Sequence, residues 1–424
     1  MREAKSRWAQ LDTAAKIFPC TSGRRDTKVF RFVCELNEPV DPALLQAAVE
    51  ETVDFFPGFR MVLKRGLFWY YLEDSALQAA VQPDTRPPCS PLYDKEVTGL
   101  LFSVTWYSRC INLEVYHAIS DGTGAMHFLR MLVFCYLKKS HPEALAGLPQ
   151  LDYDASLPQS MDDGFEHYAT AEHKKKPPKL PPAYHLRGSR TPDFALSVVV
   201  GAAPVQALLD LSHTYHASLT AFLCALFIHC IGARMQARDY AQPVTLAVPI
   251  NLRNHFESAS ARNFFGVMDV SYSFAKGGHA LEEIIRAVQE QFQTGLTPDQ
   301  MQRRVNQYIG LIRNPFARIT PLPLKDLAMK LGYRANSRRE TGALSNIGIV
   351  HMPEALAGYI RQFSIFVSTE KLQLCTVTYN GRLTMGFSSA FQDMEVQKDF
   401  FRALTRLGVP VEIDTNLQEG EGRP

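Results

Sequence analysis

The segment His117-Ala-Ile-Ser-Asp121-Gly122, with Gly124 just beyond, constrains this chain more than any other stretch. An alternating run, Ile111 to Tyr116, stops at it, and a helical stripe of Met126, Leu129, Val133, Tyr136 and Leu137 follows it. Alternation predicts a strand, and the three-to-four spacing predicts a buried helix. The fold must therefore hold an imidazole at a strand-to-helix junction. A carboxylate lies four residues on, and the glycines permit an abrupt turn. An isolated histidine there reads most simply as a satisfied ring at a strand end. This one has company that suits a base: a neutral imidazole takes a proton from a hydroxyl or an amine near pH 7. Asp121 either orients the ring directly, as in a triad, or pairs with a cation and holds the loop in shape. HxxxD alone arises often by chance; HxxxDG between these two elements is far more specific.

Elsewhere the pattern alternates between strands and helices. Lys28 to Leu36 reads as a strand, with Phe30, Phe32, Cys34 and Leu36 on one face. Asp41-Pro42 then offers an N-cap and a proline for the first turn of a helix that Pro57 stops. A hairpin follows, Phe59 to Lys64 and Leu67 to Leu72 about Arg65-Gly66. Leu100 to Tyr107 reads as the strand preceding Ile111 to Tyr116. In the second half, helices are predicted over Thr220–Arg234, Leu281–Phe292, Pro298–Ile312 and Val396–Leu407. Strands are predicted over Val244–Ile250, Met268–Phe274, Leu374–Tyr379 and Leu383–Ser388. Asn380-Gly381 joins the last two, the strongest short hairpin signal. Residues 142 to 192 hold eight of the 26 prolines and the run Lys174 to Lys176, which fits an extended crossover with a solvated lysine cluster. The expected organisation is an N-terminal lobe over 1–150, a crossover over 151–192, a C-terminal lobe over 193–417 and a disordered tail over 418–424.

Composition excludes several classes. Lys and Arg number 45 against 43 Asp and Glu, so a dedicated nucleic-acid binder is not indicated. Residues 1–10 have no apolar core of a signal peptide, and no run of about 18 apolar residues occurs, so a cytoplasmic protein without a membrane span is expected. The eight cysteines form no CxxC and fall in strand or helix patterns, which reads as reduced, buried thiols and no structural metal. A zinc set of His117, Asp121 and His127 lacks a third well-spaced ligand.

The chain resembles the superfamily built on the chloramphenicol-acetyltransferase fold, nearest its stand-alone alcohol-acetyltransferase-like and condensation-domain-like members. The resemblance runs over nearly the whole length. Its marks are Trp8 with Leu11-Asp12-Thr13-Ala14-Ala15-Lys16, the His117 to Gly124 motif, Pro249 to Arg253, and Arg262-Asn263-Phe264-Phe265-Gly266. Leu344-Ser345-Asn346-Ile347-Gly348 and Tyr379-Asn380-Gly381 complete them. Only the His117 motif is highly specific; the others add weight through their order.

The resemblance implies an α/β (α+β) fold of two lobes, each a mixed sheet flanked by helices, with a channel between them and the histidine midway. It implies an acyltransferase moving an acyl group from a thioester to a hydroxyl or amine, with His117 as general base, no covalent acyl-enzyme and no permanently bound cofactor. The co-substrate would be acyl-CoA or an acyl-carrier thioester. The alternatives are a carrier-protein-dependent condensation enzyme and a non-catalytic binding member of the fold. Asp121 would bond an arginine, Arg253 by position and Arg262 as second choice, while Gly122 shapes the turn. Tyr116 stands where many members carry a first histidine, and packing or a hydrogen bond is its expected role. Candidate donors to a tetrahedral oxyanion are Asn263, Ser345 and Asn346, residue types that also suit plain turns. Arg303, Arg304, Arg334, Arg338 and Arg339 are the candidate cations for a CoA phosphate. A monomer or weak dimer is expected.

Overall fold

A computed structural model of the chain describes residues 8–151, 163–170, 181–258 and 260–416. Much of the expected crossover, including Lys174 to Lys176, and the tail 418–424 lie outside the described residues.

Two large sheets organise the molecule. The first has five strands in the order Ile360–Val367, Val29–Leu36, Cys110–Tyr116, Phe102–Tyr107 and Gln82–Pro83. The second has seven, in the order Phe265–Tyr272, Val244–Asn251, Gly342–Ile349, Leu372–Tyr379, Arg382–Ser389, Ser197–Pro204 and Glu412–Thr415. Both are mixed, and helices flank them, so the fold is the two-lobed α/β arrangement. A small third sheet joins Trp8–Gln10 to the hairpin Met61–Arg65 and Tyr70–Asp74.

Local chemistry accounts for the elements that carry the first lobe. Asp41 caps helix Pro42–Phe55, its carboxylate accepting from the N–H groups of Ala43 and Leu44 at 2.8 and 3.1 Å. That helix buries Leu45, Ala48, Val49 and Val53 beside helix Gly122–Ser140. In the second lobe, helix Leu219–Gly232 is apolar around nearly its whole circumference because the second core encloses it. Asn380 and Gly381 turn the last hairpin with φ of 44° and 76°, left-handed values that Asn and Gly tolerate. Helix Leu322–Ser337 and the strands Ser197–Pro204, Gly342–Ile349 and Ile360–Val367 have no counterpart among the elements expected from sequence.

Strand Ile360–Val367 comes from the C-terminal half yet pairs antiparallel with Val29–Leu36, completing the first sheet. A boundary at 151–192 does not anticipate this. The strand also packs on the second sheet. Thr384 Oγ1 donates to the Phe363 carbonyl at 2.6 Å, and Ser388 Oγ donates to the Val367 carbonyl at 2.8 Å. Gly386 permits the approach, since a Cβ there would stand 2.7 Å from the Ile365 carbonyl oxygen. All eight cysteines are unpaired. Among the described residues, no single helix is long and apolar enough to cross a membrane.

Candidate active site

Strand Cys110–Tyr116 delivers His117 into a cleft between the sheets. Phe30, Gly122, Asn251, Phe265, Ser345, Ile347, Ile365 and Gln373 are among the residues around it. The cleft holds about 690 Å³ of space, open solvent included. The imidazole is therefore not sealed in apolar packing.

Behind the ring the packing is closed. Phe18 stacks on it at 4.6 Å between centroids, and Phe30 meets it edge-on at 4.9 Å. Nδ1 lies 3.0 Å from Asn263 Oδ1. The Asn263 amide orientation follows from its other bonds: Nδ2 donates to the His117 carbonyl at 2.9 Å and to Asp12 Oδ2 at 3.1 Å. Both of those atoms are acceptors only, so Oδ1 is the atom left facing the ring. Nδ1 must then carry the hydrogen, and the lone pair sits on Nε2. Burial lowers the His117 pKa below its ordinary value, opposed by the Asn263 bond and the Asp121 charge. The ring is consequently neutral at pH 7.

Asp12 anchors this back wall. It is buried and accepts from the backbone N–H of Ala15 at 2.7 Å and of Asn263 at 3.3 Å. Desolvation lifts its pKa to about 6, with Arg262 pulling the other way at 3.7 Å. Asp12, Asn263 and His117 thus form a buried chain of side chains spanning both halves of the sequence. The sequence reading quoted Asp12 only as part of a motif and gave it no role; the one signal was its place beside Asn263 in the order of motifs.

Asp121 does not touch the imidazole. One oxygen caps helix Gly122–Ser140, accepting from Thr123 and Gly124 N–H at 3.1 and 3.0 Å. The other accepts from Arg253 Nη1 at 2.7 Å and from the Phe264 N–H at 2.9 Å. Arg253 also donates to the Ser260 and Arg262 carbonyls, so it ties the loop 251–264 to the start of the helix. Arg262, the second choice for this pairing, faces Asp12 instead. Gly124 lets the helix start press on that loop, since a Cβ would fall 2.0 Å from the Ala261 carbonyl oxygen. Gly122 likewise has Ile347 Cδ1 2.8 Å from where its Cβ would be. Tyr116 is fully buried, stacks on Tyr93 at 5.3 Å and shares a 2.8 Å hydrogen bond with Ser22.

The oxyanion candidates separate. Asn263 Nδ2 donates to the His117 carbonyl and to Asp12 Oδ2, so both of its amide hydrogens are engaged on the back wall. Asn346 lines the cleft, but its amide bonds Thr220 Oγ1 at 2.9 Å and the Gly348 N–H at 2.9 Å, which holds a bulge in the strand. Ser345 lines the same cleft with its hydroxyl uncommitted among the described hydrogen bonds.

The arginine candidates separate too. The Arg304 guanidinium donates to the carbonyls of Val267 and Gly295 at 3.2 and 2.9 Å. Arg303 is exposed on helix Pro298–Ile312. Arg334 lines a cleft of about 1020 Å³ with Arg24, Arg25, Lys330 and Tyr333. Arg338 joins Arg25, Arg190 and Lys371 around an adjoining one. Arg339 lines neither. Among the described residues no three His, Cys, Asp or Glu side chains converge to hold a metal.

No protein-family model matches the sequence, and no curated protein matches it. Solved structures do. The first condensation domain of the calcium-dependent antibiotic synthetase superposes with a TM-score of 0.63 at 14% identity, covering 95% of this chain and 96% of that one. TRI101 of F. sporotrichioides, complexed with coenzyme A and T-2, gives 0.60 at 13%, covering 96% and 100%. The trichothecene 15-O-acetyltransferase TRI3 from Fusarium sporotrichioides gives 0.59 at 9%, covering 95% and 94%. The chain therefore has, end to end, the fold of these condensation and acetyltransferase structures.

Proposed function

We propose that the protein transfers an acyl group from a thioester to a hydroxyl or amine by direct attack. The observation that carries this reading is the His117 imidazole, held as the Nδ1–H tautomer by Asn263, beside an open cleft. Nε2 takes the proton of the acceptor as its oxygen or nitrogen bonds to the thioester carbonyl carbon. The carbonyl oxygen gains the negative charge, and Ser345, a hydroxyl lining the same cleft, is the proposed donor to it. Collapse re-forms the carbonyl and breaks the carbon–sulfur bond. The imidazolium returns its proton to the departing thiolate, leaving ester or amide, free thiol and neutral His117. Asp121 and Arg253 act as a brace and touch no reacting atom.

Acyl-CoA is the proposed donor. TRI101, which shares the fold, was solved with coenzyme A, and Arg25, Lys330 and Arg334 gather cations suited to its phosphates. Condensation domains share the fold as well, so a carrier-borne thioester is the competing donor.

The test is His117→Ala assayed for thiol release from acyl-CoA and from an acyl carrier thioester. General-base loss lowers turnover by about 10²–10⁴-fold while the variant stays folded. Unchanged thiol release would overturn the proposal. Wild-type turnover with the carrier thioester alone would reassign the donor.

A further inference from the structure

Helix Leu322–Ser337 is inside out. Lys325 and Asp326 are buried, at 5% and 8% exposure, whereas Leu324, Leu327 and Leu331 are 61%, 57% and 57% exposed. The buried charges are well satisfied. Lys325 Nζ donates to the Phe68 carbonyl at 2.7 Å and lies 3.3 Å from the Trp69 ring centroid. Asp326 accepts from the Tyr70 hydroxyl at 2.8 Å. Residues 324, 327 and 331 recur at helical spacing, so the leucines form one outward stripe.

The same surface extends past the helix. The Leu322 N–H bonds the Leu67 carbonyl at 2.9 Å, which fastens the 65–69 turn to the first helical turn. Leu67 is 71% exposed and Phe68 40%; Ile319, just before the helix, is 69% exposed. Exposed large apolar residues normally scatter singly, and a contiguous group marks a contact surface.

Charge selects the occupant. Between residues 313 and 339, apart from the buried pair Lys325 and Asp326, stand Arg313, Arg318, Lys330, Arg334, Arg338 and Arg339 and no acid. An apolar stripe with basic residues along and beyond it suits the boundary of an anionic bilayer: leucines enter the acyl region, and cations meet the headgroups. We propose that the outer face of helix Leu322–Ser337, with Leu67 and Phe68, docks the protein on an anionic lipid surface. Lys330, Tyr333 and Arg334 of the same helix line the basic cleft.

The experiment is co-sedimentation of the full chain with vesicles of phosphatidylcholine alone and of phosphatidylcholine mixed with phosphatidylserine. Each basic group near an anionic surface strengthens binding roughly fivefold, so three give a preference on the order of 100-fold for the mixed vesicles, weakened by added salt. The triple variant Leu324→Ser, Leu327→Ser, Leu331→Ser is expected to bind the mixed vesicles at least ~10-fold more weakly. Its helical circular dichroism and its turnover of a soluble thioester are expected to match wild type. Absence of wild-type binding to the mixed vesicles overturns the proposal, as does equal binding by the triple variant. A wild-type dimer that the triple variant disperses assigns the stripe to a second copy and overturns it too. Loss of thioester turnover in His117→Ala is read separately, so this proposal and the catalytic one fail independently.

Discussion

The two sides of the His117 ring obey different rules. Behind it, Asn263 bonds the ring and Asp12, and the Phe18 ring stacks on it. In front, His117 lines a cleft where the Ser345 hydroxyl has no partner among the described hydrogen bonds. The back is built like a core, and the Asn263 amide, with both hydrogens and its oxygen engaged, fixes the tautomer. The front is built like a binding site, with polar capacity held in reserve. The spacing of four residues suggests a carboxylate on the back wall. Asp121 instead braces the loop against the helix start, and Asn263, 146 residues away, orients the ring.

This division can be broken in order of expected effect. Asp121→Ala should cost about 3–5 kcal/mol of stability, because it strands the buried Arg253 guanidinium. Chemical denaturation measures it, and adding Arg253→Ala should cost much less than the sum of the two. An additive result would mean the pair is not a brace. Ser345→Ala should leave stability alone and lower kcat by about 10²–10³-fold, as for loss of one oxyanion donor. Intact turnover would move that role to another group. Gly124→Ala forces a Cβ against the Ala261 carbonyl and should cost about 1–3 kcal/mol by thermal or chemical unfolding. The smallest effect lies in pH. Since burial lowers the His117 pKa, the basic form persists below the ordinary 6.5, and kcat/KM should fall only on the acid side of that value. The Asn263 bond raises that pKa, so Asn263→Ala should carry the acid limb to still lower pH. A limb that stays put would show that Asn263 does not govern the ring.

What sequence could reveal follows the range of the forces involved. The Asp41 cap, the Asn380-Gly381 turn and helix Pro298–Ile312 are set by residues within a few positions of one another, and each was legible. The Asp12–Asn263 contact was not, because it joins residues 251 apart and leaves no local pattern. Helix Leu322–Ser337 escaped notice for a different reason. Periodicity reading takes an apolar stripe as the buried face, and here Leu324, Leu327 and Leu331 face outward while Lys325 and Asp326 face in. An arginine that bonds carbonyls, as Arg304 does, looks the same in sequence as one facing solvent.

The borrowed edge strand has a mechanical consequence. Ile360–Val367 is zipped to Val29–Leu36 along one side and held by Thr384 and Ser388 on the other. The lobes therefore cannot swing apart like jaws without tearing a ladder of peptide bonds' hydrogen bonds. A gene split after residue 192 would strip the first sheet of its border and leave Val29–Leu36 as a raw, adhesive edge.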